Sequence, residues 1–327
     1  MSSRRFIKQL GGNEVIDEVF LASGKQLRPN RAGNLYLQVR LSDRSGAVMG
    51  MMWNANDRVY SQFADGDYVR VEGKSQVYNG SMQIIIQDIE QATGDVNEQE
   101  FIAVTEKDTE QLAIRVAELL NSVSDRHLQA LASCILEDNG FMTQFQLAPA
   151  GIKLHHAYRG GLLEHVCGLM EVCDQVAGLY PFIDRDLLLF GAFLHDLGKI
   201  EELTYDRDLA YSDHGQLVGH IVQGVTILRE FISRTEGQLG EPFAAELQMR
   251  LEHMVVSHHG TLEFGSPRVP MTPEAIALHF LDNLDAKLHA VNQLLESNAN
   301  PQSPWTPYEA SMGRKLFRGS GETPGSA

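Results

Sequence analysis

The stretch Phe193-Leu194-His195-Asp196-Leu197-Gly198-Lys199 decides how this chain is read. It closes an apolar run, Leu187 to Leu194, that is hydrophobic nearly all round, as the central helix of a bundle must be. His195 and Asp196 then leave the helix end side by side. Because a helix turns by about 100° per residue, such neighbours reach one cation, or two adjacent ones, from a single turn.

Outward from this pair, His165 precedes it, and His220, His258-His259 and Asp282 follow, each in or beside an apolar segment that reads as helix. A lone histidine on an apolar face is usually a hydrogen-bonded core residue. Here five of the 12 histidines fall into one ordered array, and burying so many ionisable groups is costly unless something pairs them. The array therefore predicts a cage for one or two divalent cations. Imidazole nitrogen and carboxylate oxygen without thiolate suit Mn, Co, Fe, Ni or Zn.

The same reading extends along the helical part. Lys153 to His165 enters a helix after the pair Gly160-Gly161, which lets backbone approach a ligand closely. Tyr211 to Gly219 reads as a loop, His220 opens the helix Ile221 to Phe231, and Ala277 to Ala290 carries Asp282 and Asp285 one turn apart. The site is expected at a helix end near solvent. Lys199, charged and so a poor ligand, is placed to hold a phosphate oxygen, or else to complement the helix dipole. Earlier, apolar residues recur at helical spacing from Leu112 to Leu120 and from Leu128 to Leu136, where Asp138-Asn139-Gly140 reads as a stop.

Residues 1–95 have a different grammar. Leu35, Leu37, Val39 and Leu41 alternate with Tyr36, Gln38 and Arg40, the period of a strand with one buried face. Further strands read at Ala47 to Trp53, Tyr68 to Glu72, Val77-Tyr78 and Met82 to Ile86, the last two flanking an Asn79-Gly80 hairpin turn. Asn54 to Phe63 reads as a short helix. Five strands with a helix inserted resemble the OB-fold, a small barrel used for oligonucleotide binding. Tyr36, Arg40, Trp53 and Tyr78 are candidates for stacking and cationic contacts to a single strand, with core packing the competing role for the aromatic rings.

The net charge of −16 speaks at first against a nucleic-acid partner, yet residues 1–95 hold eleven basic and eleven acidic residues. The whole excess lies beyond them, partly in the cation site. The N-terminal stretch has no apolar leader, and no apolar run is long enough to span a bilayer, so a soluble, cytoplasmic protein without membrane contact is expected. Cys134, Cys167 and Cys173 show no C-x-x-C spacing and read as reduced, buried thiols. Gly94 to Phe101 reads as a linker. The division expected is an OB-fold domain at 1–95, a helical domain at 102–300 and a tail at 301–327, disordered at its tip. Trp305, Tyr308, Leu316 and Phe317 are expected to dock the tail on the helices.

The order His, His-Asp, His, His-His, Asp is similar to that of the HD-domain superfamily of metal-dependent phosphohydrolases. A small N-terminal OB-fold barrel followed by an all-α HD bundle, with the stretches His155 to His165, His195 to Lys199, Gly219-His220-Ile221, Ser257 to Gly260 and Asp282 to Lys287, resembles the YhaM-type 3′-5′ exoribonucleases over almost the whole chain. The resemblance implies stepwise hydrolysis of single-stranded RNA from its 3′ end, with DNA a second substrate to test, and Mn or Co as activating ions. It implies His165, His195, Asp196 and Asp282 around a first cation, and His220, His258 and His259 completing a second. Asp196 is then the bridging and catalytic carboxylate. Lys199 and Arg159 are assigned to the phosphate, and Tyr36, Arg40 and Trp53 to the strand. Self-association is left open. An HD phosphohydrolase of a free nucleotide or cyclic dinucleotide with a regulatory barrel is the alternative, and a non-enzymatic single-strand binder with a structural metal the third reading.

Overall fold

The computed structural model describes residues 4–30, 33–78, 81–94, 96–152, 156–205, 209–296 and 303–319. It divides into two compact units, Met1–Ala103 with Ala299–Ala327, and Val104–Asn298.

In the first unit β1 (Val15–Pro29), β2 (Leu35–Asp43), β3 (Gly46–Trp53), α1 (Asp57–Tyr60), β4 (Tyr68–Tyr78) and β5 (Ser81–Gln91) follow one another. The strands close into a barrel in the order β1-β2-β3-β5-β4. β3 and β5 run parallel and the other neighbours antiparallel. The alternation read in β2 places Leu37, Val39 and Leu41 in the barrel core with Val69, Val71, Ile84 and Ile86. β1 was not legible as a strand because it bends. It pairs with β4 from Val15 to Leu21 and with β2 from Leu21 onward, and a bulge between Ser23 and Gln26 breaks its period. Tyr68 to Glu72 and Val77-Tyr78, read as separate strands, are the two halves of β4, divided by a register shift at Glu72/Gly73. The Asn79-Gly80 turn lies outside the described residues.

The stretch read as a linker is tied to this unit. Phe101 is buried, its ring 4.7 Å from that of Tyr68, and Arg4 lies over it while bonding Glu100 at 2.6 Å. One aromatic side chain anchors an otherwise polar segment. The tail also groups with the barrel unit rather than with the helices, and residues 320–327 lie outside the described ones.

The second unit is helical: α2 (Thr109–Asn121), α3 (Arg126–Leu136), α4 (Asn139–Leu147), α5 (Gly161–Ala177), α6 (Arg185–Leu194), α7 (Lys199–Glu202), the short pair β6 (Leu203–Thr204) and β7 (Ala210–Tyr211), α8 (Asp213–Val218), α9 (His220–Leu239), α10 (Ala245–Ser257) and α11 (Pro273–Glu296). Asp108, Asp125, Asp138 and Asp184 cap the first turns of α2, α3, α4 and α6 by accepting backbone N–H bonds, each worth about 1 kcal/mol. α3 ends at Leu136, where the sequence reads a stop, and Asp138 at once starts the next helix. Tyr211 to Gly219, read as a loop, contains α8, whose single capped turn and a half is too short to show a period. Every residue from Leu187 to Leu194 is buried, so α6 is the axis of the bundle. Phe190 and Phe193 lie in one core with Phe145, Leu128, Leu163 and Leu251, and each such side chain contributes roughly 1.5–3 kcal/mol on burial. Among the described residues no helix is long and apolar enough to cross a membrane.

Candidate metal centre

The end of α6 sets the centre. His195 is its C-cap, and its Nδ1 bonds the carbonyl of Ala192 at 2.8 Å, satisfying one of the orphan carbonyls of a helix end. His258, the C-cap of α10, repeats the device on Val255 at 2.8 Å. His259 bonds the Phe264 carbonyl through Nδ1, His220 bonds Glu202 Oε1 at 3.0 Å, and His165 bonds Asp285 Oδ2 at 2.8 Å. In all five rings Nδ1 meets an oxygen acceptor and so carries the proton. Nε2 is left as the ligand atom, its lone pair open to a metal in the neutral ring and, in His165, once the second proton has gone.

These lone pairs converge in two sets. His165, His195 and Asp282 offer ligand atoms within 4.8 Å of one another, and so do His220, His258 and His259. Asp196 lies between them. Its Oδ2 is 3.2 Å from His195 Nε2 and 3.9 Å from His165 Nε2, while its Oδ1 is 3.6 Å from Nε2 of both His220 and His258. Asp196 Oδ1, His220 Nε2 and His258 Nε2 are buried without a hydrogen-bond partner. Three orphaned donor atoms facing one another cost several kcal/mol unless a cation joins them, so this donor set fits a divalent metal.

His195 is 0% and Asp196 3% exposed, so the helix end itself is buried and the centre meets solvent on one side. Its exposed side is the one formed by Asp282, Lys199 and His220, whose side chains keep 20%, 16% and 13% of their surface. Burial opposes the charge on Asp196, but Lys199 and His195 outweigh it and hold the carboxyl well below the usual carboxylate range. Burial pulls the His165 ring down, and the carboxylates of Asp282 and Asp285 more than reverse this, pushing it up to about 9. A cation entering there displaces a proton. His258, buried and beside His195, stays neutral, well below its ordinary pKa.

The residues assigned to substrate fall in three places. Lys199 Nζ donates to Asp196 Oδ2 at 2.6 Å, so its charge sits on the carboxylate shared by the two sets. Arg159 Nε donates to the Tyr205 carbonyl at 2.8 Å, which ties the segment before α5 to the one after β6. Tyr36 and Trp53 are register partners across β2 and β3 with ring centroids 5.3 Å apart, Trp53 is half exposed and Tyr78 exposed, and none of the three belongs to the barrel core. Arg40 is half-buried beside Met49 on the same strands.

Gly160 and Gly161 have a task in the fold itself. Gly160 adopts φ 79 at the start of α5, and a Cβ on Gly161 would lie 2.0 Å from the His156 carbonyl. They let the His156 turn press on α5. His155 lies outside the described residues. That turn brings in groups that the sequence did not single out: His156, buried, bonds Tyr158 Oη through Nδ1 at 2.9 Å, and Tyr158 donates to Glu164 at 2.9 Å. Glu202 was likewise missed. Its pairing with His220 spans 18 positions and leaves no periodic signal.

Residues 162–287 match the family model of the HD domain, and residues 22–92 that of an OB-fold nucleic acid binding domain. The "3′-5′ exoribonuclease YhaM" of Geobacillus sp. (strain WCH70) is 34% identical over 81% of this chain and 80% of its own. The chain belongs to the YhaM family. Family members of the same printed name from Bacillus velezensis and Bacillus subtilis are 32% and 31% identical, each over 86% of this chain and 88% of theirs. All seven expected ligands, from His165 to Asp282, fall in the HD region.

Proposed function

We propose that the chain is a metal-dependent 3′-5′ exoribonuclease that hydrolyses phosphodiester bonds of single-stranded RNA one nucleotide at a time. The observation that carries this reading is the pair of histidine sets sharing Asp196, with three buried donor atoms left unpartnered, in a chain whose YhaM relatives are named for that activity. His165, His195, Asp196 and Asp282 hold one cation and His220, His258 and His259 with Asp196 the other. A bound pair of divalent ions supplies positive charge to the scissile phosphate and acidifies water for attack at neutral pH. The chain's own residues do the rest. Lys199, at the exposed side, turns its charge to a phosphate oxygen as negative charge builds, and Arg159 is the second cation assigned to the strand. Tyr36 and Trp53 stack on bases, and Arg40 meets the backbone phosphates.

Mn is the metal to test first, since hard oxygen and borderline nitrogen donors without thiolate suit it, with Co, Fe, Ni and Zn as comparisons. Single-stranded DNA is the second substrate. The three buried free cysteines suit a reducing cytoplasm, where RNA is at hand. The test is incubation of the purified protein and Mn with 5′-labelled single-stranded RNA. A ladder descending by single nucleotides is expected. Intact RNA together with hydrolysis of a cyclic dinucleotide would replace this reading by that of a nucleotide phosphohydrolase.

A further inference from the structure

Beyond both matched regions in the sequence, the segment from Ser303 to Arg318 folds back on itself. Trp305 bridges Phe317 and Glu309 bridges Arg314, both antiparallel. Thr306, itself buried, donates its N–H to the Leu316 carbonyl and accepts the Leu316 N–H on its hydroxyl, both at 2.9 Å. The Glu309 carboxylate closes the turn by accepting from the N–H and hydroxyl of Ser311. This short stretch thus spends several hydrogen bonds on one conformation. It does not bury the rings so arranged: Trp305, Tyr308 and Phe317 are 49%, 63% and 61% exposed.

The charge of the segment is opposite to that of the chain. Arg314, Lys315 and Arg318 stand against the single acid Glu309, in a protein of net charge −16. Among the described residues neither Arg314 nor Lys315 makes an ion pair, and both are exposed. A cavity of about 730 Å³ opens beside them, lined by Trp305, Lys315, Thr306, Pro307 and Ser303. One ring and one ammonium at one hollow are what a base and its phosphate require.

The arrangement also occurs twice in the same compact unit. On the barrel, Tyr36 and Trp53 are cross-strand partners with centroids 5.3 Å apart and planes inclined by 45°. On the tail, Trp305 and Phe317 are cross-strand partners at 5.0 Å and 56°. Exposed aromatic pairs with interleaved cations and few acids are the composition of single-strand platforms. We propose that the Ser303–Arg318 hairpin is a second contact surface for single-stranded nucleic acid, beside that of the barrel. The proposal rests on the exoribonuclease reading and adds a binding element to it.

The test uses the full chain in EDTA with a fluorescein-labelled oligouridylate followed by anisotropy. Trp305→Ala with Phe317→Ala is expected to weaken binding by about tenfold or more, the loss of one or two stacked bases. Arg314→Ala with Lys315→Ala is expected to lower the slope of log affinity against log salt by about 1.4. The chain has two tryptophans, so Trp53→Phe leaves Trp305 as the only indole, and its emission is expected to fall as the oligonucleotide binds. Turnover of a small phosphodiester by the two Mn-loaded hairpin variants, Trp305→Ala with Phe317→Ala and Arg314→Ala with Lys315→Ala, stays at the wild-type value and shows that they fold. Wild-type affinity and salt slope in both variants, or an unquenched Trp305, overturns the proposal. So does a change of oligomeric state at unchanged affinity, which would make the hairpin a contact between copies. Wild-type protein that binds no oligonucleotide removes the exoribonuclease reading as well, so the two failures are distinct.

Discussion

Asp196 presents one oxygen to each histidine set, and no other carboxylate in the centre is so divided. Substituting it, or His195, by Ala takes a ligand from the middle of the cage. Both variants are expected to keep their helical circular dichroism while losing bound metal and all hydrolysis. Metal analysis after gel filtration checks this, and wild-type metal content in both variants would refute the ligand assignment. Lys199 is a separate case because its ammonium pairs with Asp196 Oδ2 rather than lying apart from the ligands. Burial lowers its pKa, but the attraction of Asp196 is stronger and keeps it charged. Lys199→Met removes a positive charge that competes with a cation for that oxygen. Metal content is therefore expected to stay at or above the wild-type level, while turnover falls on the order of a hundredfold, as when one electrostatic stabiliser is deleted. Normal turnover in Lys199→Met would leave this residue only the role of neutralising Asp196.

At the scale of elements, the centre depends on how closely α7 and α9 approach. Gly198 has an ordinary helical backbone, φ −62, so any residue could adopt its conformation. What forbids one is space: a Cβ there would lie 1.9 Å from the His220 carbonyl and 2.7 Å from the Gly224 nitrogen. Backbone touches backbone, and this contact carries His220 to Asp196. Gly198→Ala is expected to fold, to move the start of α9, and to weaken Mn binding by about tenfold or more, as supporting contacts of a metal site do. Unchanged Mn affinity by titration would show that the helices have slack. The His-Asp pair, the all-apolar α6 and the alternating β2 were legible in the sequence because their signals lie within one turn or one strand. β1 was not, since its bulge shifts the period in the middle. α8 was too short, and the Glu202 to His220 pairing is made only when α7 and α9 meet. Trp305 and Phe317 were read as anchors to the helices because sequence distinguishes a buried ring from an exposed one only through its neighbours.

For the whole molecule, the acidic excess now has addresses. Four aspartates cap helices, and Asp196, Asp282 and Asp285 face the histidines of the centre, so part of the charge of −16 is engaged within the helical unit and the barrel remains neutral overall. The helical unit has a core of its own. A chain starting at Val104 is expected to hydrolyse a small phosphodiester at the full rate yet lose efficiency on oligonucleotides in proportion to their length. Equal kcat/KM on long strands with and without the barrel would turn the barrel into a regulatory or assembly module. The barrel itself is a closed ring, and its ladders differ in extent: β4 and β5 are paired along nearly their whole length, whereas β3 and β5 share only the positions Met49 to Met51 with Gln83 to Ile85. A cylinder tears at its shortest seam. Slow amide exchange is expected to fail there first, and only a barrel slit along that line would offer raw strand edges to another chain, so intact rings are protected from growing into fibres.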